Sequence, residues 1–271
     1  SDPTNSFVLM ISAYIDQASF DLSAAIKKVK QVFGQEPGSQ MVKAKLAELY
    51  LSLGEVNKAK ELVEQDYNGP TTNSLITTIA GYIDLFEHKH SRAIDNFNTA
   101  IADDPGYALP VLGRALAKIN SGYLESGRQD LELAAALEPT VSVYRSYLGK
   151  AYFEEEKEEL AHNEYSRAIA LDPNDPTPFL YRAFANLSNN RPVNALSDIE
   201  DAIAKNDNRA IYRSSLYLDQ DSAVRSASLA HIFNSLGFGR VAQIEAIKSI
   251  NSDYSNYSAH RLLSESYNTI Q

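Results

Sequence analysis

The sequence predicts an all-α protein, a solenoid of antiparallel helix pairs with about seven pairs and part of an eighth. Three observations predict it. A small residue recurs every 34 positions, as Ala25, Ala59, Ala93, Gly127, Ala161 and Ala195. A second small-residue series lies earlier in each unit, as Ala13, Ala47, Gly81, Ala115, Gly149 and Ala183. Proline closes most units at Pro37, Pro105, Pro139 and Pro173, with Pro70 one residue early and Asp207 standing there in the sixth. Six units therefore tile 6–39, 40–73, 74–107, 108–141, 142–175 and 176–209 without insertion. A fixed period of this length marks stacked helical repeats. Position within a unit is called its place, so the two small series are places 8 and 20.

Each unit carries two apolar stretches at helical spacing, split by a polar turn such as Leu53-Gly54-Glu55 or Ser121-Gly122. Places 8 and 20 lie one on each helix, where a larger side chain would overpack their contact. Places 24 and 27, such as Tyr165 and Ala168 or Phe97 and Ala100, share one face of the second helix and fill the space between units. The closing proline stops that helix and turns the chain into the next unit. Residues 1–5 read as a polar leader, disordered or foreign to the natural chain, ahead of the repeats at 6–209. After Arg209 the register breaks, and 210–222 is an insertion or linker. A seventh unit fits 223–256, with Leu229-Ala230 at places 7 and 8, Phe233 at 11, Ala242 at 20 and Tyr254 where proline is expected. The first helix of a truncated eighth follows from Tyr257 to about Tyr267, within a last domain of 223–271. Its unpaired apolar face predicts a natural chain that continues past Gln271.

Composition narrows the function. A net charge of −10 with a pI of about 5.0 argues against phosphate-backbone binding, so no nucleic-acid partner is expected. No apolar run approaches the roughly 18 residues of a membrane span. The absence of cysteine rules out disulfides, a thiolate zinc site and a cysteine nucleophile. There is no Gly-rich phosphate loop, G-x-S-x-G elbow or H-E-x-x-H motif. His88 and His90 sit in the turn of the third unit, where the reading is a solvated turn. The run Glu154-Glu155-Glu156-Lys157-Glu158-Glu159 reads as a solvated helix end. Neither a catalytic centre, a metal nor a cofactor is expected.

The spacing at places 8, 20, 24, 27 and 32 resembles the tetratricopeptide repeat family over roughly residues 6–256. The resemblance implies a right-handed superhelix whose concave groove is lined by the first helix of each pair, mainly at places 2, 5, 9, 12 and 13. Carried onto this chain, the partner-binding groove is Phe7, Met10, Tyr14, Tyr82, Phe86, Leu112, Leu116, Lys150, Leu180, Phe184 and His231. Met41, Ala44, Glu48, Leu75 and Thr78 fill the same places between them. The expectation is one continuous apolar concavity that takes an extended or helical protein segment. The basic clamp by which chaperone-binding members hold a C-terminal carboxylate is not supplied by Met10/Tyr14, Ala44/Glu48 or Thr78/Tyr82. Place 4 departs from the family's aromatic, reading Leu9, Lys43, Thr77, Val111, Arg145 and Phe179, so looser packing is expected there.

A second resemblance lies in Arg225-Ser226-Ala227-Ser228-Leu229-Ala230, Leu236-Gly237-Phe238 and Asn256-Tyr257-Ser258-Ala259-His260-Arg261. These are similar to the C-terminal end of repeat arrays in large bacterial proteins that continue into an outer-membrane β-barrel. That likeness implies a periplasmic arm of an assembly or export protein, with a C-terminal barrel of the same chain among its partners. The alternatives are a cytoplasmic adaptor that recruits a regulatory or secretion partner, and a scaffold of exopolysaccharide export. Sixteen tyrosines would allow stacking on sugars, although tryptophan is absent.

Overall fold

A computed structural model describes residues 5–19, 21–67, 73–205, 222–252 and 257–268. The leader before Asn5, Pro70, Asp207, residues 210–221, Asn256 and Tyr254 lie outside them, as does the end after Asn268. The described residues form fifteen helices. Seven consecutive pairs are α1 (Ser6–Ala18) with α2 (Leu22–Gln35), α3 (Gln40–Ser52) with α4 (Val56–Tyr67), α5 (Ser74–Phe86) with α6 (His90–Asp103), α7 (Ala108–Asn120) with α8 (Leu124–Leu137), α9 (Ser142–Glu154) with α10 (Glu158–Leu171), α11 (Pro176–Ser188) with α12 (Pro192–Ala204), and α13 (Ser222–Ser235) with α14 (Gly239–Ser252). α15 (Tyr257–Asn268) follows alone. First helices start at residues 6, 40, 74, 108, 142 and 176, a constant step of 34. The chain divides into two compact units, one holding α1–α8 and the other α9–α15.

Local chemistry sets the helix ends. Place 34 caps the following helix where it is Ser39, Asn73 or Asp175. Asn73 Oδ1 accepts from Ile76 N–H at 3.0 Å, and Asp175 Oδ1 accepts from Thr177 N–H at 2.9 Å. From the second pair to the seventh, place 15 turns the chain over in a left-handed conformation, with glycine at 54, 122 and 237 but His88, Glu156 and Asn190 elsewhere. The acidic run straddles such a turn, and Glu158 and Glu159 begin α10, where the positive end of the helix dipole favours them.

Within each unit the core sits between the helices of each pair and between successive pairs. Ala25, Ala59, Ala93, Ala161 and Ala195 are fully buried, as are Phe97, Tyr165, Ala100 and Ala168. The looser packing expected at place 4 is not found. Leu9, Thr77, Val111 and Phe179 are buried. The two basic residues close their positions by ion pairs, Lys43 to Asp66 at 2.6 Å and Arg145 to Glu164 at 3.0 Å. Their aliphatic stems fill the space that an aromatic ring would take.

A polar lock spans the helices of four pairs at places 7, 11 and 23, with its acid on the first helix in the first and third pairs and on the second helix in the fourth and sixth. Lys28 reaches Ser12 at 2.6 Å and Asp16 at 2.5 Å. Asn96 donates to Asp84 at 2.8 Å. Asp130 accepts from Arg114 at 2.7 and 2.8 Å and pairs with Lys118 at 2.7 Å. Asp198 receives Arg182 at 2.6 Å and Asn186 at 2.9 Å. In the fourth and sixth pairs the lock satisfies the buried carboxylates of Asp130 and Asp198, which would otherwise cost about 1–3 kcal/mol each.

Candidate partner-binding groove

The eleven candidate residues separate into a floor and a rim. Place 5 is closed throughout: Met10, Ala44, Thr78, Leu112 and Leu180 are all buried. The expectation that Met10, Leu112 and Leu180 line an open groove is therefore corrected. First helices of successive pairs within a unit pack on one another, α3 on α5 and α5 on α7. Leu116 is buried as well.

Tyr82 is also corrected. It is 0% exposed. Its hydroxyl donates to the Leu109 carbonyl of α7 at 2.9 Å, and its ring stands edge-on to Phe97 at 5.1 Å. A hydrogen-bonded tyrosine pinned into the next pair is a packing element. Phe86 is half-buried. In the second unit Phe184 packs half-buried against the cluster of Phe179, Ile199 and Ile232. Lys150 lies with its ammonium 4.9 Å from the Tyr181 ring centroid, a cation–π contact, and His231 is partly buried.

Apolar accessibility in the first unit concentrates at its beginning. Phe7 is 73% and Met41 53% exposed, both at place 2, and Tyr14 is half-exposed at place 9. Between α1, α3 and α5 opens a cleft of about 280 Å3 lined by Tyr14, Met41, Ala44, Lys45, Glu48, Leu75, Ile79 and Tyr107. Five of these eight stand at places 2, 5 or 9. Lys45 and Tyr107 give the cleft its polarity and its far wall, and the repeat pattern does not mark them.

A charged pair is built into the wall. Lys45 Nζ lies 4.1 Å from the Tyr14 ring centroid and 3.1 Å from Glu48 Oε2. Glu48 Oε1 accepts from Gln17 at 2.8 Å, which fixes the carboxylate. Burial, and then the Glu48 charge, push the Tyr14 hydroxyl above its usual pKa, so it stays protonated and can donate to a ligand. The cleft thus offers apolar surface with a small set of held polar groups, the usual make-up of a side-chain pocket.

A second cleft of about 240 Å3, between α4, α5 and α6, is lined by Lys60, Val63, Glu64, Ala80, Ile83, Asp84, Glu87 and Arg92. It is internally paired: Lys60 meets Glu87 at 2.9 Å, and Arg92 meets Asp84 at 2.9 Å. Hydrogen bonds from Lys89 and Lys60 hold Glu87 below its usual pKa. Burial raises Asp84 against the pull of Arg92. Among the described residues no three His, Asp or Glu side chains are grouped to hold a metal ion. No helix among them is long and apolar enough to cross a membrane.

Comparison with known proteins agrees with the all-helical fold. Residues 17–66 match a tetratricopeptide repeat model and residues 149–190 a TPR repeat model. No curated protein matches the sequence. Among solved structures, the chain is similar to one in the APC/C hetero-tetramer Cut9-Hcn1, with a TM-score of 0.84 and 15% identity over 99% of this chain. It spans half of that protein's length. A tetratricopeptide repeat protein from Parabacteroides merdae gives a TM-score of 0.61 at 16% identity, covering 97% of this chain and 98% of that one. Pseudomonas aeruginosa PilF gives 0.61 at 15%, covering 82% and 96%. At such identities the likeness establishes the all-helical fold alone.

Proposed function

With tetratricopeptide repeats in both of its units, this chain is, we propose, a non-catalytic scaffold that holds a protein segment on the first-helix face of its opening pairs. The observation that carries the reading is the cleft between α1, α3 and α5, with Tyr14 and Met41 exposed in its lining and Phe7 exposed on the same helix as Tyr14. Large apolar side chains left in water on a soluble surface mark a partner site, and aromatic anchors tend to dominate such contacts. Binding held by apolar burial is expected to respond weakly to salt.

The same proposal makes the chain the periplasmic arm of a bacterial outer-membrane-associated assembly or export protein. Its support is the likeness of Arg225–Ala230, Leu236–Phe238 and Asn256–Arg261 to the ends of arrays that precede a barrel. Fractionating cells that carry the natural gene tests this part. Protection from added protease until the outer membrane is permeabilised supports it, and recovery in the cytosol overturns it.

The scaffold reading is tested by selecting a random peptide library on the immobilised chain. Enriched peptides should carry apolar or aromatic anchors and lose at least about tenfold in affinity, about 1.4 kcal/mol, on Met41→Glu. No enrichment, or equal binding by the variant, would overturn it.

A further inference from the structure

The polar lock of the third pair lacks one of its corners. In the fourth pair Arg114, at place 7, sets its guanidinium on Asp130, Nε to Oδ2 at 2.8 Å and Nη2 to Oδ1 at 2.7 Å. In the sixth, Arg182 at place 7 grips Asp198 in the same way, at 3.0 and 2.6 Å. Both oxygens of each acid are thereby taken. In the third pair the acid is Asp84 at place 11, and place 7 is Ala80. Asn96 and Arg92 both donate to Asp84 Oδ2, at 2.8 and 2.9 Å. Oδ1 has no hydrogen-bond donor among the described residues, and the Asp84 side chain is 1% exposed.

Ala80 and Asp84 stand one turn apart on α5 and line the same cleft of about 240 Å3, between α4, α5 and α6. A small-molecule pocket is larger, roughly 300–1,000 Å3, so the cleft suits a single side chain. Val63, Ala80 and Ile83 give it apolar wall, the surface on which the stem of a basic side chain lies. Glu64, Asp84 and Glu87 line it against Lys60 and Arg92. Glu87 is already held by Lys60 and Lys89. Burial raises the pKa of Asp84 although Arg92 pulls the other way, so this carboxylate has less positive charge beside it than its burial calls for. A second cation on such an acid is not foreign to the fold, since Asp130 holds Arg114 and Lys118 together.

We propose that the cleft receives a guanidinium group, the arginine side chain of a protein partner, which supplies from outside the corner that Arg114 and Arg182 supply from within. One N–H meets Asp84 Oδ1, and the planar group keeps further donors for the neighbouring carboxylates. A guanidinium is more weakly hydrated than an ammonium and enters a partly apolar cleft more readily. The net charge of −10 draws a basic segment towards the chain.

Titration with the peptide acetyl-Gly-Gly-Arg-Gly-Gly-amide tests this, read from the carbon-13-labelled methyl group of Ile83 in the cleft wall and assigned by Ile83→Val. The Ile83 signal should move to saturation. A citrulline peptide, of the same shape without the charge, should bind at least about tenfold more weakly, and so should the arginine peptide on Asp84→Asn. A lysine peptide should also bind more weakly. Ala80→Arg fills the corner from within and keeps the acid, so it tests the proposal even where Asp84→Asn fails to fold. That variant should keep its far-ultraviolet dichroism, unfold at no lower urea than the parent and no longer bind the peptide. An Ile83 signal unmoved at millimolar peptide, equal binding by the citrulline or lysine peptide, or an Ala80→Arg variant that unfolds or still binds overturns the proposal. Tighter binding of free L-arginine than of the peptide overturns it too, assigning the cleft to the amino acid.

Discussion

Replacing Gly113 by alanine should destabilise the first unit, although alanine is the better helix former by about 1 kcal/mol. A Cβ built on Gly113 would lie 2.3 Å from Phe97 Cζ, 2.4 Å from Cε1 and 2.8 Å from Cε2. Carbon atoms in contact prefer about 3.5–4.0 Å, so the ring must retreat by roughly an ångström. It has nowhere to go. On its other side a Cβ on Gly81 would already stand 2.6 Å from Cε1, and Tyr82 holds the ring edge-on at 5.1 Å. Overpacking a full core costs about 1–3 kcal/mol, so against a gain of about 1 kcal/mol the net change should be a loss of up to about 2 kcal/mol. Gly34, in α2, has no heavy atom within 4 Å of its built Cβ. There alanine should be neutral or stabilising by up to about 1 kcal/mol. Urea midpoints followed by far-ultraviolet dichroism compare the two variants. Phe97→Leu in the Gly113→Ala background should recover part of the loss, giving a coupling of about 1 kcal/mol. If Gly113→Ala behaves like Gly34→Ala, the close packing of Phe97 between α5 and α7 is wrong.

The two buried tyrosines should respond in opposite senses to loss of the hydroxyl. Tyr165 Oη is buried without a hydrogen-bond partner and burial raises its pKa, so Tyr165→Phe should stabilise by about 1 kcal/mol, whereas Tyr82→Phe, which loses the bond to Leu109, should destabilise by a similar amount in the same urea assay. Asp130→Ala removes the anion shared by Arg114 and Lys118 and should cost about 3 kcal/mol, far more than Glu125→Ala at a helix start. Burial lowers the His162 pKa, assisted by Arg191 and Arg182 and opposed by Glu158 and Asp198. The fold therefore prefers neutral imidazole: its contribution is complete above the unfolded value near 6.5 and is lost as pH falls from there through the folded pKa. His162→Gln should flatten the drop in urea midpoint below about pH 6.5, and an unchanged drop would show that other groups cause it.

The helix pairs were legible because their signal is chemical identity at a fixed step. A fully buried Ala161 or Ala195 tolerates nothing larger, so the small residue repeats. The locks at places 7, 11 and 23 were not legible, because the same geometry is met by Lys28, Asn96, Asp130 or Asp198 with the partner's charge reversed. No single residue type holds any of these places through the array. The floor of the groove was misread at Met10, Tyr82, Leu112, Leu116 and Leu180. Periodicity fixes which face of a helix a side chain shares, but how closely the next first helix approaches that face is set by distant contacts such as Tyr82 on Leu109. Phe7, Met41 and Tyr14 are the candidates of places 2 and 9 that stay exposed in the first unit.

The central claim, that a protein segment docks between α1, α3 and α5, has a direct spectroscopic test. The chain contains two methionines, Met10 buried in the floor and Met41 exposed on the cleft rim. Carbon-13 labelling of their methyl groups gives two resonances, assigned by Met10→Leu and Met41→Leu. Titration with a selected peptide should shift the Met41 signal progressively to saturation and leave Met10 nearly in place. A peptide that binds while Met41 stays unmoved would contradict the account and place the docking surface elsewhere on the chain.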